Sequence, residues 1–413
     1  MQTNLAPFIR DTADGKEAEA ILRKCTHCGM CTATCPTYQL LYDELDGPRG
    51  RIYLIKQTLE GATPTPKTQL HLDRCLTCRS CETTCPTGVR YGRLLEIGRD
   101  VVERQVGRTP TEAGRRRLLR SVVPSRRLFS PLLALGQLVL PLLPQDLQRK
   151  VPAAAARAKA WPTTRRARTM LLLESCAQAS VSPATNVATA RVLDRLGITL
   201  VPVPSAGCCG AVSLHLSAQE EARAFMRRNI DAWWPRIEAG AEAIVSTASG
   251  CGITVKDYAH LLAHDPAYAD KAKRVSALAK DISEIIEPEA EKFRARIPDH
   301  ASSPIRQRIA FHAPCSLQHG MKHQGRVEAL LASLGCSLTD VPNPHLCCGS
   351  AGTYSILQPE LSRRLLANKI AALTSGNPTA ILTANIGCQM HLQSATNLPV
   401  RHWIEALDDS LPQ

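Results

Sequence analysis

Two copies of one cysteine pattern constrain this chain more than anything else: Cys25-x2-Cys28-x2-Cys31-x3-Cys35-Pro36 and Cys75-x2-Cys78-x2-Cys81-x3-Cys85-Pro86, fifty positions apart. Structural zinc wants Cys or His pairs separated by a dozen or more residues, not four thiols within eleven. Core packing gives no reason for two identical spacings. The pattern is that of cubane [4Fe-4S] ligation, in which three close thiolates wrap one cluster and the fourth, before proline, ligates the other. It predicts one cluster on Cys25, Cys28, Cys31 and Cys85 and a second on Cys75, Cys78, Cys81 and Cys35, and so an electron carrier.

Composition frames this reading. A chain of 413 residues, 44% of them hydrophobic, has enough apolar material for about two or three domains with their own cores. The first thirty residues lack a basic segment followed by an apolar one. Seventeen cysteines without such a leader lead us to expect a reducing cytoplasm, where thiols are free to bind metal. No apolar run reaches the roughly twenty residues of a membrane-spanning helix. A net charge of +13 suits anionic partners, lipid head groups or an acidic protein face. Nucleic acid is the weakest of these, since aromatic residues make up only 4% of the chain and no recognition motif is evident.

Helix formers fill Lys16–Lys24, Gly50–Glu60 and Arg90–Val106, so residues 1–104 are expected to be a helical unit around the cysteine loops. Residues 105–168 form a basic, proline-punctuated connector. In it, Arg115 to Arg117, Arg126, Arg127, Arg149, Lys150, Arg165, Arg166 and Arg168 flank the apolar run Leu128–Leu143, which Pro131, Pro141 and Pro144 interrupt. Such a run suits an interfacial segment at an anionic leaflet, or a connector packed on protein.

The second half is a duplication. Cys176, Cys208-Cys209-Gly210 and Cys251 recur as Cys315, Cys347-Cys348-Gly349 and Cys388, with thirty-one residues between the first Cys and the double Cys in both copies. The offset is 139 positions, and 137 at the last Cys. Each copy, 169–300 and 301–413, alternates short apolar strands (169–174, 198–203 and 243–246; 308–312, 337–341 and 380–383) with helical stretches that include 186–196 and 326–334. Alternation of this kind predicts parallel sheets whose carboxyl-end loops gather the cysteines. Four thiolates per repeat suffice for a further cluster; alternatively they shape a quinone or partner pocket without metal.

Taken together, these residues resemble a family. Twin [4Fe-4S] motifs followed by two Cys-Cys-Gly repeats resemble the iron-sulfur subunits of bacterial glycolate oxidase. Heterodisulfide reductase, anaerobic glycerol-3-phosphate dehydrogenase and lactate-utilisation iron-sulfur proteins share the architecture. The Ser-Cys and Ala-Pro-Cys contexts of Cys176 and Cys315 and the ending Asn385-Ile386-Gly387-Cys388-Gln389-Met390-His391 favour the glycolate oxidase group. The resemblance implies a multidomain chain: an α-helical ferredoxin-like domain, like that of succinate dehydrogenase iron-sulfur subunits, followed by a duplicated α/β cysteine-rich domain with parallel sheets. It also implies that this chain relays electrons while FAD-binding glycolate oxidase subunits turn glycolate into glyoxylate. The electrons then go to a membrane quinone or another acceptor, with the chain cytoplasmic or peripheral on the inner face of the membrane. The chain itself lacks a Gly-x-Gly-x-x-Gly or P-loop motif for a nucleotide or flavin.

One departure bears on mechanism. The fullest form of the repeat motif ends Cys-x2-Cys, and Ala248 and Asn385 stand at the first of those positions here. That counts against the rival expectation of a heterodisulfide-reductase-like catalytic subunit; lactate or glycerol 3-phosphate remain alternative substrates of the partner. His27 and Arg79 lie within the cysteine loops, where they could tune potential or be merely exposed. His312, His319, His345 and His391 are expected as loop histidines near the second repeat's cysteines, as proton or quinone ligands or simply satisfied side chains. Cys336 is expected to be a small buried hydrophobe.

Overall fold

Prolines mark the starts of the helices that frame the cysteine loops. Pro36–Leu41, Pro48–Leu59 and Pro66–Asp73 each begin on a proline, which has no backbone N–H to lose in the first turn. The long helix Tyr91–Val106 buries Leu94, Leu95, Ile97, Val101 and Val102 on one stripe. That stripe packs on Ile52, Ile55 and Leu59 and on Ile21 and Leu22 of helix Ala13–Lys24, giving the amino-terminal unit an all-helical core. The structure is a computed structural model that describes residues 1–142, 148, 151–152, 159–297 and 304–412. Leu143, Pro144, Arg149, Lys150 and the boundary expected at 300 and 301 lie outside these residues.

Helices Pro110–Val122 and Arg126–Leu138 follow, and no residue of either is fully buried. The second helix leaves Leu128, Leu132, Leu135 and Leu138 exposed.

The cysteine-rich half contains two four-stranded parallel sheets of the same order. The first runs β2-β1-β3-β4, with β1 at Arg168–Leu172, β2 at Ile198–Pro202, β3 at Ile244–Ser246 and β4 at Ala279–Asp281. The second runs β6-β5-β7-β8, with β5 at Arg308–His312, β6 at Ser337–Leu338, β7 at Ala380–Thr383 and β8 at Val400–His402. Strand β6 is shorter than the expected segment. Strands β4 and β8, three residues each, lead to no cysteine and have no counterpart among the expected strands.

The repeats exchange their closing helices. Trp403–Ser410 of the second packs on Pro183–Asp194 of the first, and Ile282–Ile286 of the first packs on Arg326–Ser333 of the second. One core therefore contains Leu193, Ile282, Leu331, Trp403 and Leu407 together. Reciprocal contacts of this kind are what two-fold-related copies make.

Candidate metal centres

In each amino-terminal motif, two residues between the cysteines adopt left-handed backbone: His27 (φ 61°) and Gly29 (φ 86°) in the first, Thr77 (φ 52°) and Arg79 (φ 59°) in the second. Three of the four are not glycine, and such outliers concentrate at functional sites. The winding turns successive thiols inward. Cys25, Cys28, Cys31 and Cys85 line one cavity, with Arg49, Pro86 and Val89 among its other walls. Cys35, Cys75, Cys78 and Cys81 line a second. Pro48, Cys81 and Tyr91 border both cavities, so the two are neighbours across a single layer of side chains.

The two cavities differ electrically. In the first, Cys28 is exposed, and burial followed by neighbouring Cys25 and Cys85 pushes the Cys31 thiol up to about 11. The second contains a buried cation: Arg51 is fully buried and donates to His71 O (2.7 Å), Thr37 Oγ1 (3.1 Å) and Asp46 Oδ1 (3.4 Å). Tyr91 Oη donates to Cys75 Sγ at 3.6 Å, and Cys35 Sγ meets Thr37 Oγ1 at 3.3 Å. Burial pushes Cys78 and Cys81 well above the ordinary thiol value. These sites fit cubane clusters: the four expected sulfurs gather at each cavity, and iron must deprotonate them as it binds. The bound clusters supply one-electron transfer.

In the repeats, the sheets deliver the cysteines. Cys176, Cys208 and Cys251 follow β1, β2 and β3, and Cys315, Cys347 and Cys388 follow β5, β6 and β7. Gly210 and Gly349 are fixed by both conformation and space. Their φ values are 91° and 90°, and a Cβ would lie 2.9 Å from Ala222 O or 2.7 Å from Ser362 O. In the first repeat, the thiols of Cys176, Cys208, Cys209 and Cys251 are each in hydrogen-bonding contact with the next, and Ser175 Oγ meets Cys251 Sγ at 3.1 Å. Hydrogen bonds from Cys176 and Cys209 hold Cys208 well below the ordinary thiol range. Asn229 Nδ2 donates to Cys208 O (2.8 Å) and Tyr258 Oη donates to Cys209 O (2.8 Å).

The second repeat chains Cys315, Cys347, Cys348 and Cys388 in the same way but adds groups the first lacks. His312, three residues before Cys315, ends strand β5 and is 2% exposed; it is a buried strand residue, not the loop residue expected. Burial, then Lys369, push its imidazolium pKa down to about 3. The matching residue three before Cys176 is Leu173. Lys369, 3% exposed, donates to Pro344 O (3.2 Å), and all four of the repeat's thiols lie within its field. Asn385 Nδ2 donates to Cys388 Sγ (3.4 Å) while its Oδ1 accepts from Gly250 N of the first repeat (3.2 Å).

The second repeat also abuts the ferredoxin-like unit at the cysteines. Leu76, Cys78, Cys315, Cys347, Tyr354 and Leu365 share one apolar cluster. Tyr354 Oη donates to Arg74 O (3.2 Å), and His319 bridges Thr83 Oγ1 (3.0 Å) and His345 O (3.1 Å). The first repeat meets the same unit through charge instead. Arg79 pairs with Asp257 at 2.7 Å, so it is no idle surface side chain, and Glu17 pairs with His260 (2.8 Å) and Arg93 (2.9 Å). His27 Nε2 lies 3.3 Å from Arg49 O, His391 Nε2 meets Ser362 Oγ at 3.1 Å, and Cys336 packs in the shared core. Motif reading missed Arg51, Asn229 and Lys369, whose partners are distant in sequence.

The cavities and repeats define a class: a dicluster iron-sulfur electron carrier fused to a duplicated cysteine-rich domain. Residues 24–89 match the 4Fe-4S dicluster domain family, and residues 170–256 and 309–393 match the Cysteine-rich domain family. The glycolate oxidase iron-sulfur subunit of Escherichia coli (strain K12) is 57% identical over 411 residues, covering 100% of this chain and 99% of the relative. The probable glycolate oxidase iron-sulfur subunit of Bacillus subtilis (strain 168) is 28% identical over 91% of this chain and 89% of its own length. Lactate utilization protein A of Bacillus licheniformis is 26% identical over 50% of this chain and 82% of the relative. The chain therefore belongs to the glycolate oxidase iron-sulfur subunit family, and it carries [4Fe-4S] clusters.

Proposed function

We propose that this chain carries electrons from FAD-binding glycolate oxidase subunits, as glycolate becomes glyoxylate, towards a membrane quinone. Cys25, Cys28, Cys31 and Cys85 hold the entry cluster, whose exposed Cys28 and neighbouring Met30 face a docking partner. Cys35, Cys75, Cys78 and Cys81 hold the next, and Cys315, Cys347, Cys348 and Cys388 hold one further cluster. The observation that carries this reading is the packing of Cys78, Cys315 and Cys347 in one apolar cluster, which continues the row of thiols from the ferredoxin-like unit into the second repeat. Buried Arg51 beside Cys75 and Cys35 favours the more negative, reduced state of the middle cluster, drawing electrons inward. Reduction of the clusters by glycolate only when the flavoprotein partner is present tests this; reduction by lactate instead reassigns the substrate.

Membrane contact belongs to helix Arg126–Leu138, which sets Leu128, Leu132, Leu135 and Leu138 beside exposed Arg126 and Arg127. No described helix is long and apolar enough to cross a bilayer. Flotation with vesicles containing anionic lipid is expected, and failure to float removes this part of the proposal.

A further inference from the structure

Within the second repeat, one buried side chain lies beside two of the cysteines and carries an unused ligand atom. His312 Nδ1 is hydrogen-bonded to Thr383 Oγ1 at 3.0 Å, while Nε2 is buried and has no hydrogen-bond partner. A buried polar atom without a partner is costly to keep, and beside metal-ligating side chains it points to a missing one. The ring sits where one could be met: a His312 nitrogen, Cys348 Sγ and Cys388 Sγ all lie within 4.8 Å of one another. A metal-binding imidazole commonly donates from one nitrogen to an oxygen, which fixes the tautomer and points the other lone pair at the metal. Thr383 Oγ1 is placed to accept from Nδ1–H, leaving the Nε2 lone pair free.

We infer that His312 is an iron ligand of the second repeat, the fifth donor beside Cys315, Cys347, Cys348 and Cys388. This rests on the reading that the second repeat holds a cluster. The inference also accounts for Asn385. Where the fullest motif has a fifth cysteine, Asn385 donates to Cys388 Sγ, and the missing donor is supplied from the neighbouring parallel strand β5 by His312. The first repeat makes no such substitution: Ala248 stands at the equivalent of Asn385, and Leu173 at the equivalent of His312. The two repeats thus offer different donors, four thiols in the first and four thiols with an imidazole in the second.

The test uses the full chain purified anaerobically with 15N-histidine, its iron content and its pulsed EPR spectra in oxidised and dithionite-reduced states. About twelve irons per chain are expected, with a 15N coupling on the one signal that disappears in the Cys347→Ser/Cys348→Ser variant. His312→Leu, which copies Leu173, loses that coupling, and so does His312→Gln if the leucine variant fails to fold. A signal dependent on Cys347 and Cys348 but lacking a nitrogen coupling overturns the ligand assignment alone. About eight irons, unchanged by the double substitution, overturn both the cluster in the second repeat and its histidine ligand.

Discussion

The two cysteine-rich repeats share strand order, cysteine spacing and a strained glycine, yet their surroundings have diverged. The first holds its thiols against Leu173 and Asn229; the second holds them against His312 and Lys369. Asn229 and Lys369 are equivalent, each lying seven residues beyond the helix residue that crowds the motif glycine, Ala222 or Ser362. Only the second repeat's cysteines share an apolar cluster with a ferredoxin-type cysteine, Cys78. The first repeat docks on the same unit through ion pairs. Duplication supplied two frames, and long-range packing decided which one adjoins a ferredoxin-type cysteine.

The comparison breaks most visibly at the double cysteines. Cys347→Ser/Cys348→Ser is expected to lose about four irons per chain, and Cys208→Ser/Cys209→Ser none, by iron analysis of anaerobically purified protein. Equal losses would mean the repeats are alike. Next come the glycines that both copies need. Gly349→Ala and Gly210→Ala are each expected to cost about 1–3 kcal/mol in denaturant unfolding, with the larger loss at Gly349, where the new Cβ approaches closer to backbone oxygen. Asn229→Ala deprives Gly207 N, Cys208 O and Tyr258 Oη of a partner and is expected to cost about 1–3 kcal/mol, with iron content unchanged.

The smallest effect separates the docking modes by pH. Burial alone would raise Glu17, but hydrogen bonds from His260 and Arg93 outweigh it and hold its pKa down at about 2, against 4.5 when free. Stability from this contact is therefore complete above pH 4.5 and is lost as pH falls from there towards 2. Hydrogen exchange around residues 13–17 and 258–261 should rise over that window in the native chain. In Glu17→Gln it should be high already at neutral pH.

Much of this was legible in the sequence. The two groups of four ferredoxin-type cysteines expected from their spacing each meet at a cavity of their own. The duplication and six of the eight strands were also readable, because each of those apolar segments leads towards a cysteine. Strands β4 and β8 were not, since neither leads to a cysteine and their pairing with β3 and β7 is set by tertiary packing. His312 looked like one more polar residue near a cysteine; its burial at a strand end, with one nitrogen unpaired, exists only once β5 lies beside β7. The apolar cluster that Cys78 and Cys315 share joins residues more than two hundred positions apart, and no local signal encodes it.

The central claim is that electrons leave the ferredoxin-like pair through the second repeat. It is tested most directly by mixing the complex anaerobically with glycolate and a quinone, and following the cluster signals by rapid-freeze EPR in the two double-cysteine variants. We predict that Cys347→Ser/Cys348→Ser leaves electrons stranded on the two amino-terminal clusters with the quinone oxidised, while Cys208→Ser/Cys209→Ser still delivers them. Stranding in the Cys208→Ser/Cys209→Ser variant, with delivery intact when Cys347 and Cys348 are replaced, would contradict the account.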